Sequence, residues 1–306
     1  MPLTNFPSGV SSFGMPVLGS GGLMTTGDVF FVDSGAAAAA DGNAMTDPAQ
    51  PGATIDAAIG RCAADNGDII IVMPGHTENL TASIAMDVAG ISVFGLGNGH
   101  TRPLLSYTGT GGVVTFSASN VRWSNIVHDC SIAAVTNAIL ASGTIQRVEI
   151  DHCHFTFDAT GVEFTVMIAL GGGATDSADY VFIHDNWFEA ENIDGCASAL
   201  LIDDCQFVHI RNNLFTGDFN SVAIDGAAGS SACLDYVIAD NYIENRDTGF
   251  TIDLDDSATG VAYNNMVAGG GASGSNVDWG NLRVCENYVT EAADVTGIVV
   301  PITAQS

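Results

Sequence analysis

The amino-acid sequence predicts an all-β solenoid, a coil of parallel strands, and three observations support this prediction. First, a short pattern recurs seven times between residues 127 and 289. Each copy has two apolar or β-branched residues two positions apart, then Asn or Cys, then another apolar residue, as in Val181, Ile183, Asn186 and Phe188. Second, the copies are 22 to 33 residues apart, a spacing typical of stacked repeats. Third, the repeats contain short alternating strands separated by Gly, Asn, Asp and Ser, with almost no helical periodicity.

The recurring Asn or Cys predicts a ladder of stacked side chains with a structural role. In a coil of parallel strands each strand pairs with its equivalent one turn away, so equivalent side chains stack about 4.8 Å apart. An Asn at such a position can bond the backbone and also the Asn in the turns above and below. The predicted ladder consists of Cys130, Cys153, Asn186, Asn213, Asn241, Asn265 and Asn287.

The seven cysteines show no C-x-x-C spacing, and their odd number favours buried free thiols in a reducing compartment. Cys130 and Cys153 are an exception, because both fall on the predicted ladder. If they lie one turn apart they are within disulfide reach, so a bridge between them stays open at this point.

Residues 1 to 27 differ from the rest of the chain and predict an N-terminal arm. The segment is rich in Gly, Ser and Pro and has no charged side chain before Asp28. Its scattered apolar residues would be the anchors of a docking segment on a partner protein, and a flexible tail is the other interpretation. The predicted anchors are Phe6, Val10, Phe13 and Leu18.

The next segment predicts how the β-helix domain, residues 28–306, begins. Val29 to Val32 forms a strand, and Thr54 starts a short amphipathic helix at about residues 54–65 that Asn66 and Gly67 end. A hydrophobic strand from Ile69 follows at once. We expect the helix to cap the first turn, because the apolar end of the coil would otherwise face water.

Net charge excludes several classes of partner. The chain has 35 acidic residues against seven basic ones, all Arg, for a net charge of −28. Such a surface repels nucleic acid and anionic membranes, and it disfavours an anionic polysaccharide unless metal ions bridge the two. No apolar run is long enough to span a membrane, and the N-terminus lacks a signal-peptide pattern, so we expect synthesis in the cytoplasm.

The beginning of the predicted domain resembles a known superfamily. Residues 29–80 contain VFFVDSG, TDPAQPGATIDAAI and GDIIIVMPGHTENL. These segments resemble the opening of right-handed parallel β-helix proteins of the pectate-lyase-like superfamily, and the Asn repeats are similar to theirs. The resemblance implies a right-handed parallel β-helix over about residues 28 to 295. It implies no single activity, because this fold serves polysaccharide lyases, glycoside hydrolases, phage tailspikes and virion decoration proteins. The opening TNFPSGVSSFG resembles the N-termini of tailed-phage structural proteins of this fold.

A first candidate site is a column of carboxylates. If loop lengths absorb the uneven spacing, Asp203, Asp225, Asp253 and Asp278 stack on one face of the coil. Carboxyls on adjacent and alternate turns would bracket the separations used by retaining and inverting glycosidases. The same column would offer the oxygen ligands that Ca²⁺ prefers. A solvated acidic face is the third interpretation, since so acidic a chain must place its 27 Asp residues somewhere.

A second candidate site lies two residues before the ladder. There the sequence places His128, Asp151, His184 and Arg211, which could do acid–base work or neutralise an anionic sugar. Pectate lyases are expected to combine a Ca²⁺-binding acidic cluster with basic residues for the substrate carboxylates. This chain has no Lys and few Arg, which weakens the lyase interpretation. His152 and His154 offer no third ligand, and we expect them to make surface polar contacts, including contacts between subunits.

These observations together predict a virion structural protein. It would decorate or stabilise the capsid of a tailed virus as a homotrimer, attached through the arm to the major capsid protein or another virion protein. The alternative is a tailspike or lyase-like enzyme that binds or cleaves a polysaccharide, and a third interpretation is an adhesin that binds a glycan without cutting it. Enzymatic activity is left open, and no bound cofactor is expected unless Ca²⁺ occupies the acidic column.

Overall fold

The computed structural model describes residues 25–141, 143–159, 161–171, 178–190, 195–226, 233–247, 249–269, 277–291 and 294–300, and the backbone of 11–12 and 15–16. For residues 290, 291 and 294–300 the backbone alone is described. The predicted anchors Phe6, Val10, Phe13 and Leu18 lie outside the described residues. Within the arm, β1 (Ser11–Ser12) pairs antiparallel with β2 (Met15–Pro16).

The chain is an all-β parallel solenoid built from three long sheets, which we call sheets I, II and III. From Ile69 to Glu291, successive strands along the chain fall in the three sheets in turn, and each pairs with its equivalents in the neighbouring turns. Sheet I contains β3 (Val29–Val32), β4 (Ile69–Val72), β7 (Ser92–Gly95), β10 (Val121–Ser124), β13 (Ile145–Asp151), β16 (Ala178–His184), β19 (His209–Arg211), β22 (Tyr236–Ala239), β25 (Gly260–Tyr263) and β28 (Arg283–Cys285).

Sheets II and III complete each turn. Sheet II contains β5 (Thr77–Leu80), β8 (Leu104–Tyr107), β11 (Val127–Cys130), β14 (His154–Phe157), β17 (Trp187–Glu189), β20 (Leu214–Thr216), β23 (Tyr242–Asn245), β26 (Met266–Gly269), β29 (Asn287–Glu291) and β30 (Asp294–Val300). Sheet III contains β6 (Ser83–Met86), β9 (Val113–Phe116), β12 (Val135–Ala141), β15 (Phe164–Leu170), β18 (Ser198–Ile202), β21 (Val222–Gly226), β24 (Phe250–Leu254) and β27 (Val277–Asp278). Between described residues all pairings within the three sheets are parallel except that of β29 with β30.

The core lies inside the coil, because alternate side chains of each strand point inward. Identical or similar residues stack there from turn to turn. Phe155, Phe188 and Phe215 form one such stack, with ring centroids 5.0 and 4.6 Å apart. All three rings are fully buried, so the alternation seen in the sequence fixes which face of each strand meets the core.

The predicted helix near the N-terminus is present but shorter than expected. Helix α1 (Ile55–Ile59) begins after Thr54, whose side-chain oxygen accepts a hydrogen bond from Ala57 N at 3.3 Å. It ends at Gly60 rather than near residue 65, and the chain continues in turns. The helix contacts β3, β4 and β6 through its buried apolar side. A short 3-10 helix spans Gly99–Thr101, and no helix among the described residues has the length and hydropathy needed to cross a bilayer.

The asparagine ladder runs through the turn between sheets I and II, and one unit shows its bonding. The side-chain amide of Asn213 donates to Ile183 O at 2.9 Å and to Asn241 Oδ1 at 3.1 Å. Its own Oδ1 accepts from Asn186 N at 3.0 Å, so each turn is tied to both neighbours. The same column contains Asn186, Asn213, Asn241, Asn265 and Asn287, all buried. Cys153 precedes them, and its backbone N donates to Asn186 Oδ1 at 2.8 Å.

Cys130 was wrongly assigned to this ladder. It lies on β11 in sheet II, in register with Tyr107 and Phe157, and its sulfur is buried inside the coil. The position one turn before Cys153 is held by Ile126, because Ser124 pairs with Asp151. In the first repeat the ladder position therefore lies just before Val127, whereas the sequence pattern that starts at Val127 placed it at Cys130. Cys130 and Cys153 are both free thiols, so no bridge joins them.

Candidate functional site

The outward face of sheet I brings three of the four residues of the predicted polar column together. Asp151, His184 and Arg211 end strands β13, β16 and β19 and lie in register on successive turns. Ile150 and Ile183, one residue earlier, point into the core and are fully buried. The strand alternation therefore aims the three polar side chains outward, away from the core.

Asp151 is the most completely bonded member of the column. Its carboxylate has no exposed surface and accepts from Arg122 Nε at 2.7 Å, Ser124 Oγ at 2.6 Å and His152 Nδ1 at 2.6 Å. Burial raises the pKa of Asp151, but the hydrogen bonds from Arg122, Ser124 and His152 outweigh it, so the pKa lies below its ordinary value. Asp151 is therefore an anion at neutral pH.

His184 is held in the opposite state. Its Nε2 lies 3.1 Å from Glu149 Oε1 and its Nδ1 lies 2.7 Å from Asp185 Oδ2. The hydrogen bond with Glu149 raises the pKa of His184 to about 9, with Asp185 adding to it and burial opposing it. Both ring nitrogens therefore donate at neutral pH, and the imidazolium is fixed between two carboxylates.

These groups form a closed network that we call the sheet I cluster, made of Arg122, Glu149, Asp151 and His184. Glu149 also lies 3.5 Å from Arg122 Nε. Ligand atoms of Glu149, Asp151 and His184 lie within 4.8 Å of one another, the one such trio found among the described residues. A metal would have to displace the proton of His184 and compete with Arg122 for Asp151. The arrangement suits an ion-pair network better than a cation site.

The network is also poorly suited to proton transfer at neutral pH. An efficient general acid or base has a pKa near the working pH. The pKa of Asp151 is lowered and that of His184 is raised to about 9, so both groups hold one protonation state across the neutral range.

A shallow pocket opens beside the cluster. It has a volume of about 220 Å³ and is lined by Phe182, His184, Asp185, His209, Arg211 and Asn212. Arg211 donates to the hydroxyl of Tyr263 at 2.8 Å, and its guanidinium lies 5.9 Å from that ring. The exposed ring of Phe182 lies in this pocket with the cations His184 and Arg211, so the pocket could hold a small group that carries a carboxylate.

His128 does not belong to the column, and its assignment there was wrong. It lies on β11 in sheet II and its side chain is buried in the core, stacked on Phe155 at 4.7 Å. Trp123 Nε1 donates to its Nε2 at 3.0 Å, and its Nδ1 lies 2.7 Å from the hydroxyl of Tyr107, which donates to Ala138 O. Burial lowers the pKa of His128 to about 3, so the ring is neutral and structural. The error follows from the same offset that misplaced Cys130.

His152 and His154 point to different surroundings on either side of Cys153. His152 bonds Asp151, whereas His154 lies 3.1 Å from Glu189 and stacks on Trp187 with centroids 4.1 Å apart. They share no ligand position, so they do not form a metal pair. Contacts with another subunit stay a prediction.

The acidic column on sheet III contains three of its four predicted members. Asp225, Asp253 and Asp278 lie in register on β21, β24 and β27. Asp203 is displaced, because Leu201 and not Asp203 pairs with Asp225. Burial, followed by the charges of Asp278, Asp225 and Asp256, raises the pKa of Asp253. Asp253 thus retains a proton more readily than an isolated carboxylate does.

Sequence reasoning missed an exposed stripe on sheet II. The residue after each ladder position points outward and is often aromatic, as at Trp187, Tyr242 and Tyr288. The residue before each ladder Asn is Asp, Asn or Glu in a left-handed conformation, for example Asp185 at φ 57° and Asn212 at φ 52°. Reading the two neighbours of each ladder residue as columns would have found both features.

Comparison with known proteins shows which known fold the chain shares. No family model matches the chain, and no curated protein matches it. A pectate lyase from Bacillus sp. N165, solved with trigalacturonate, superimposes with a TM-score of 0.53 at 14% identity, covering 92% of this chain and 87% of that one. The chain has the parallel β-helix fold of a pectate lyase.

Two further solved structures are similar over much of their length. A rhamnogalacturonan lyase matches with a TM-score of 0.48 at 13% identity, covering 90% of both chains. A protein of Geobacillus virus E2 matches with a TM-score of 0.39 at 15% identity, covering 78% of this chain and 57% of that one. At these identities the parallel β-helix shared with the pectate lyase is what the comparisons establish, and the chemistry of this chain rests on its own residues.

Proposed function

We propose that this protein is a virion structural protein that decorates or stabilises the capsid of a tailed virus. The observation that carries the proposal is the closed sheet I cluster. Asp151 accepts three hydrogen bonds while fully buried, and His184 is held as a cation between Glu149 and Asp185. The column that sequence predicts as an acid–base site is thereby engaged in holding neighbouring turns together.

Two features of the sequence support a place on a virus particle. The opening segment TNFPSGVSSFG resembles the N-termini of tailed-phage structural proteins, and it belongs to an uncharged arm suited to docking. The net charge of −28 keeps many copies dispersed before assembly and repels nucleic acid. The arm would attach a homotrimer to the major capsid protein or another virion protein.

The test is the copy number of the chain in purified virus particles, measured by quantitative mass spectrometry against the most abundant shell protein. A ratio that tracks the shell protein is the expected result. A handful of copies per particle would indicate a tailspike, and absence from the particle would overturn the proposal.

A second experiment tests the arm. Deletion of residues 1 to 27 should abolish attachment to particles stripped of this protein while leaving the thermal melting of the chain nearly unchanged. Retained attachment, or loss of folding, would contradict a docking role for the arm.

The sheet III column favours a second candidate function, the binding or cleavage of a polysaccharide. Asp225, Asp253 and Asp278 stack one per turn, and the raised pKa of Asp253 distinguishes it from an ordinary surface carboxylate. Retaining glycosidases use carboxyl groups about 5 Å apart, close to the spacing of one turn. Ca²⁺ would also find oxygen ligands in this column.

A matched pair of variants tests this second function. Asp253→Asn should abolish cleavage of a glycan if the column is catalytic, whereas Asp203→Asn, which lies outside the register, should leave cleavage unchanged. Products would be followed by the reducing ends released from a panel of neutral and anionic polysaccharides. Equal loss in both variants, or no cleavage by the unaltered protein, would count against catalysis.

A further inference from the structure

The outer face of sheet II carries a continuous exposed stripe with one large side chain per turn. Trp187, Leu214, Tyr242, Met266 and Tyr288 lie in strand register on five successive turns. Their exposed fractions are 41%, 36%, 40%, 57% and 51%, so none is covered by the rest of the described chain. Aligned apolar exposure of this extent is unusual for a solvated surface and marks a binding face.

The stripe alternates between aromatic and aliphatic residues. Trp187, Tyr242 and Tyr288 are separated by Leu214 and Met266, so an aromatic ring recurs every second turn, or about every 10 Å. His154 stacks on Trp187 and extends the aromatic surface by one turn.

A second column beside the stripe alternates with the same period. Its members precede the ladder residues, all have left-handed backbone with φ between 52° and 59°, and comprise Asp185, Asn212, Asp240, Asn264 and Glu286. A carboxylate therefore accompanies each ring, and an amide accompanies each aliphatic residue. The stripe and this turn column together form a surface that repeats every two turns.

Hydrogen bonds fix the turn column. Asn212 Nδ2 donates to Asp185 Oδ1, and Asn264 Nδ2 donates to Asp240 Oδ1 at 2.6 Å. Asn212 and Asn264 thus hold the carboxylate in the turn before them. This fixes a hydrogen-bond acceptor beside Trp187 and another beside Tyr242. A groove of about 490 Å³ runs between the two columns, with Trp187, Leu214 and Tyr242 on one side and Asp185, Asn212 and Asp240 on the other.

We propose that this groove, together with the stripe and turn column that continue beyond it to Tyr288 and Glu286, binds a linear, neutral glycan. Sugar rings would stack on Trp187, Tyr242 and Tyr288, and sugar hydroxyls would donate to the carboxylates of Asp185, Asp240 and Glu286. The apolar face of a pyranose ring packs against an aromatic ring, and its hydroxyl groups are the donors that an acceptor-rich groove requires. A polymer of regular repeat meets the same ring and carboxylate at every second turn, so several weak contacts add along one chain.

Charge decides between this ligand and the other occupants of such a face. A second copy of the chain packed stripe to stripe would bring the like-charged carboxylates of both turn columns together, a repulsion that a homotrimer formed through another face avoids. Anionic polysaccharides and nucleic acid meet the same repulsion. A neutral glycan desolvates the rings without adding a charge, and its hydroxyls satisfy the carboxylates. The proposal is independent of the virion function, since a capsid protein and a free protein could both carry the groove.

The test is affinity electrophoresis of the full-length protein through gels that contain soluble neutral polysaccharides. The probes are hydroxyethyl cellulose, galactomannan, laminarin and dextran, with polygalacturonate as the anionic comparison. At least one neutral probe should slow the unaltered protein, and the retardation should persist when NaCl is added because the contacts are not ionic. Polygalacturonate should not slow it.

Substitutions in the stripe and in the turn column test which residues bind the glycan. Trp187→Ala combined with Tyr242→Ala should weaken binding by about tenfold or more for each ring removed. Tyr180→Ala is the matched control, because Tyr180 is a similarly exposed ring, 39% accessible, on sheet I. Asp240→Asn keeps the shape of the groove and should also weaken binding, which separates recognition from folding. Thermal melting of every variant verifies that it is folded.

Three outcomes would overturn the proposal. They are the absence of retardation by every neutral probe, equal retardation of the double variant and the unaltered protein, and retardation by polygalacturonate alone. Sedimentation equilibrium adds a fourth, because a drop in oligomer mass caused by the double variant without any glycan binding would identify the stripe as a contact between copies.

Discussion

His128 and His184 lie on neighbouring sheets of the same coil, and their surroundings move their pKa values in opposite directions. Burial among aromatic rings lowers the pKa of His128 to about 3, whereas the hydrogen bond with Glu149 raises that of His184 to about 9. At neutral pH one histidine is therefore an uncharged core residue and the other a surface cation.

His128 predicts a loss of stability in acid. The unfolded chain takes up a proton below about pH 6.5 that the folded chain excludes until about pH 3, so stability falls across this window by about 1.4 kcal/mol per pH unit. His128→Phe should be less stable than the unaltered protein at pH 7 by about 1 to 3 kcal/mol, because Trp123 Nε1 loses its acceptor. The difference should shrink as the pH falls, which urea unfolding at several pH values would measure. A difference that does not change with pH would contradict a neutral, buried His128.

His184 predicts the opposite linkage. Its raised pKa means that its ion pairs stabilise the fold fully below about pH 6.5, and that this contribution is lost as the pH rises through about 9. In NMR titrations the His184 ring should therefore titrate near pH 9, and Glu149→Gln should move the midpoint down towards the ordinary value. Glu189→Gln, which faces His154 instead, is the control and should leave the His184 midpoint in place. An unaltered midpoint in Glu149→Gln would exclude Glu149 as the main cause.

At the scale of elements, the two-residue turn between sheets I and II organises the coil. From Asn186 to Asn287, each of these turns combines a residue in the left-handed conformation with a buried Asn, as in Asn212 and Asn213. Asn and Asp tolerate positive φ better than other residues with a side chain, which explains why they recur before the ladder position. The ladder Asn then replaces backbone bonds that the tight turn cannot make by itself.

Loss of one ladder residue should therefore cost far more than loss of its neighbour. Asn213→Ala removes the donor to Ile183 O and the acceptor of Asn186, so we expect a destabilisation of about 3 to 5 kcal/mol. Asn212→Ala, at the exposed neighbouring position, should cost about 1 kcal/mol because Ala is strained in the left-handed region. Chemical denaturation of the two variants would give both values. Similar costs would contradict a central role for the ladder.

At the scale of the whole molecule, net charge affects both the stability of the fold and the choice of partners. A net charge of −28 on 306 residues creates self-repulsion that compaction increases. The parallel β-helix withstands this because its core is continuous along the axis and each turn is bonded to the next. The same repulsion limits the partners that can approach the surface, which links the charge to both proposals made for this protein.

Salt should consequently stabilise the fold. Raising NaCl from about 0.02 M to about 0.5 M shortens the screening length and should raise the melting temperature. KCl at equal ionic strength should act alike, because screening does not distinguish the two cations. If CaCl₂ raises the melting temperature more than NaCl at matched ionic strength, and Asp253→Asn removes the excess, then the sheet III column binds Ca²⁺. A melting temperature that does not respond to any salt would contradict the role of self-repulsion.

The amino-acid sequence predicts the all-β parallel coil, the position of the short helix and the ladder from Asn186 to Asn287. It could do so because strand alternation and the turn chemistry of Asn are local properties that each repeat restates. It did not determine the register of the first repeat, so His128 and Cys130 were misplaced, nor that of Asp203, which lies outside its column. Loops of unequal length separate these strands, and only the pairing of each strand with the next turn decides which side chains become neighbours. Only the three-dimensional structure shows that Asp151 and His184 are held in one network and that the rings beside the ladder align into one stripe, because both depend on contacts between turns whose paired residues lie 22 to 35 positions apart in the chain.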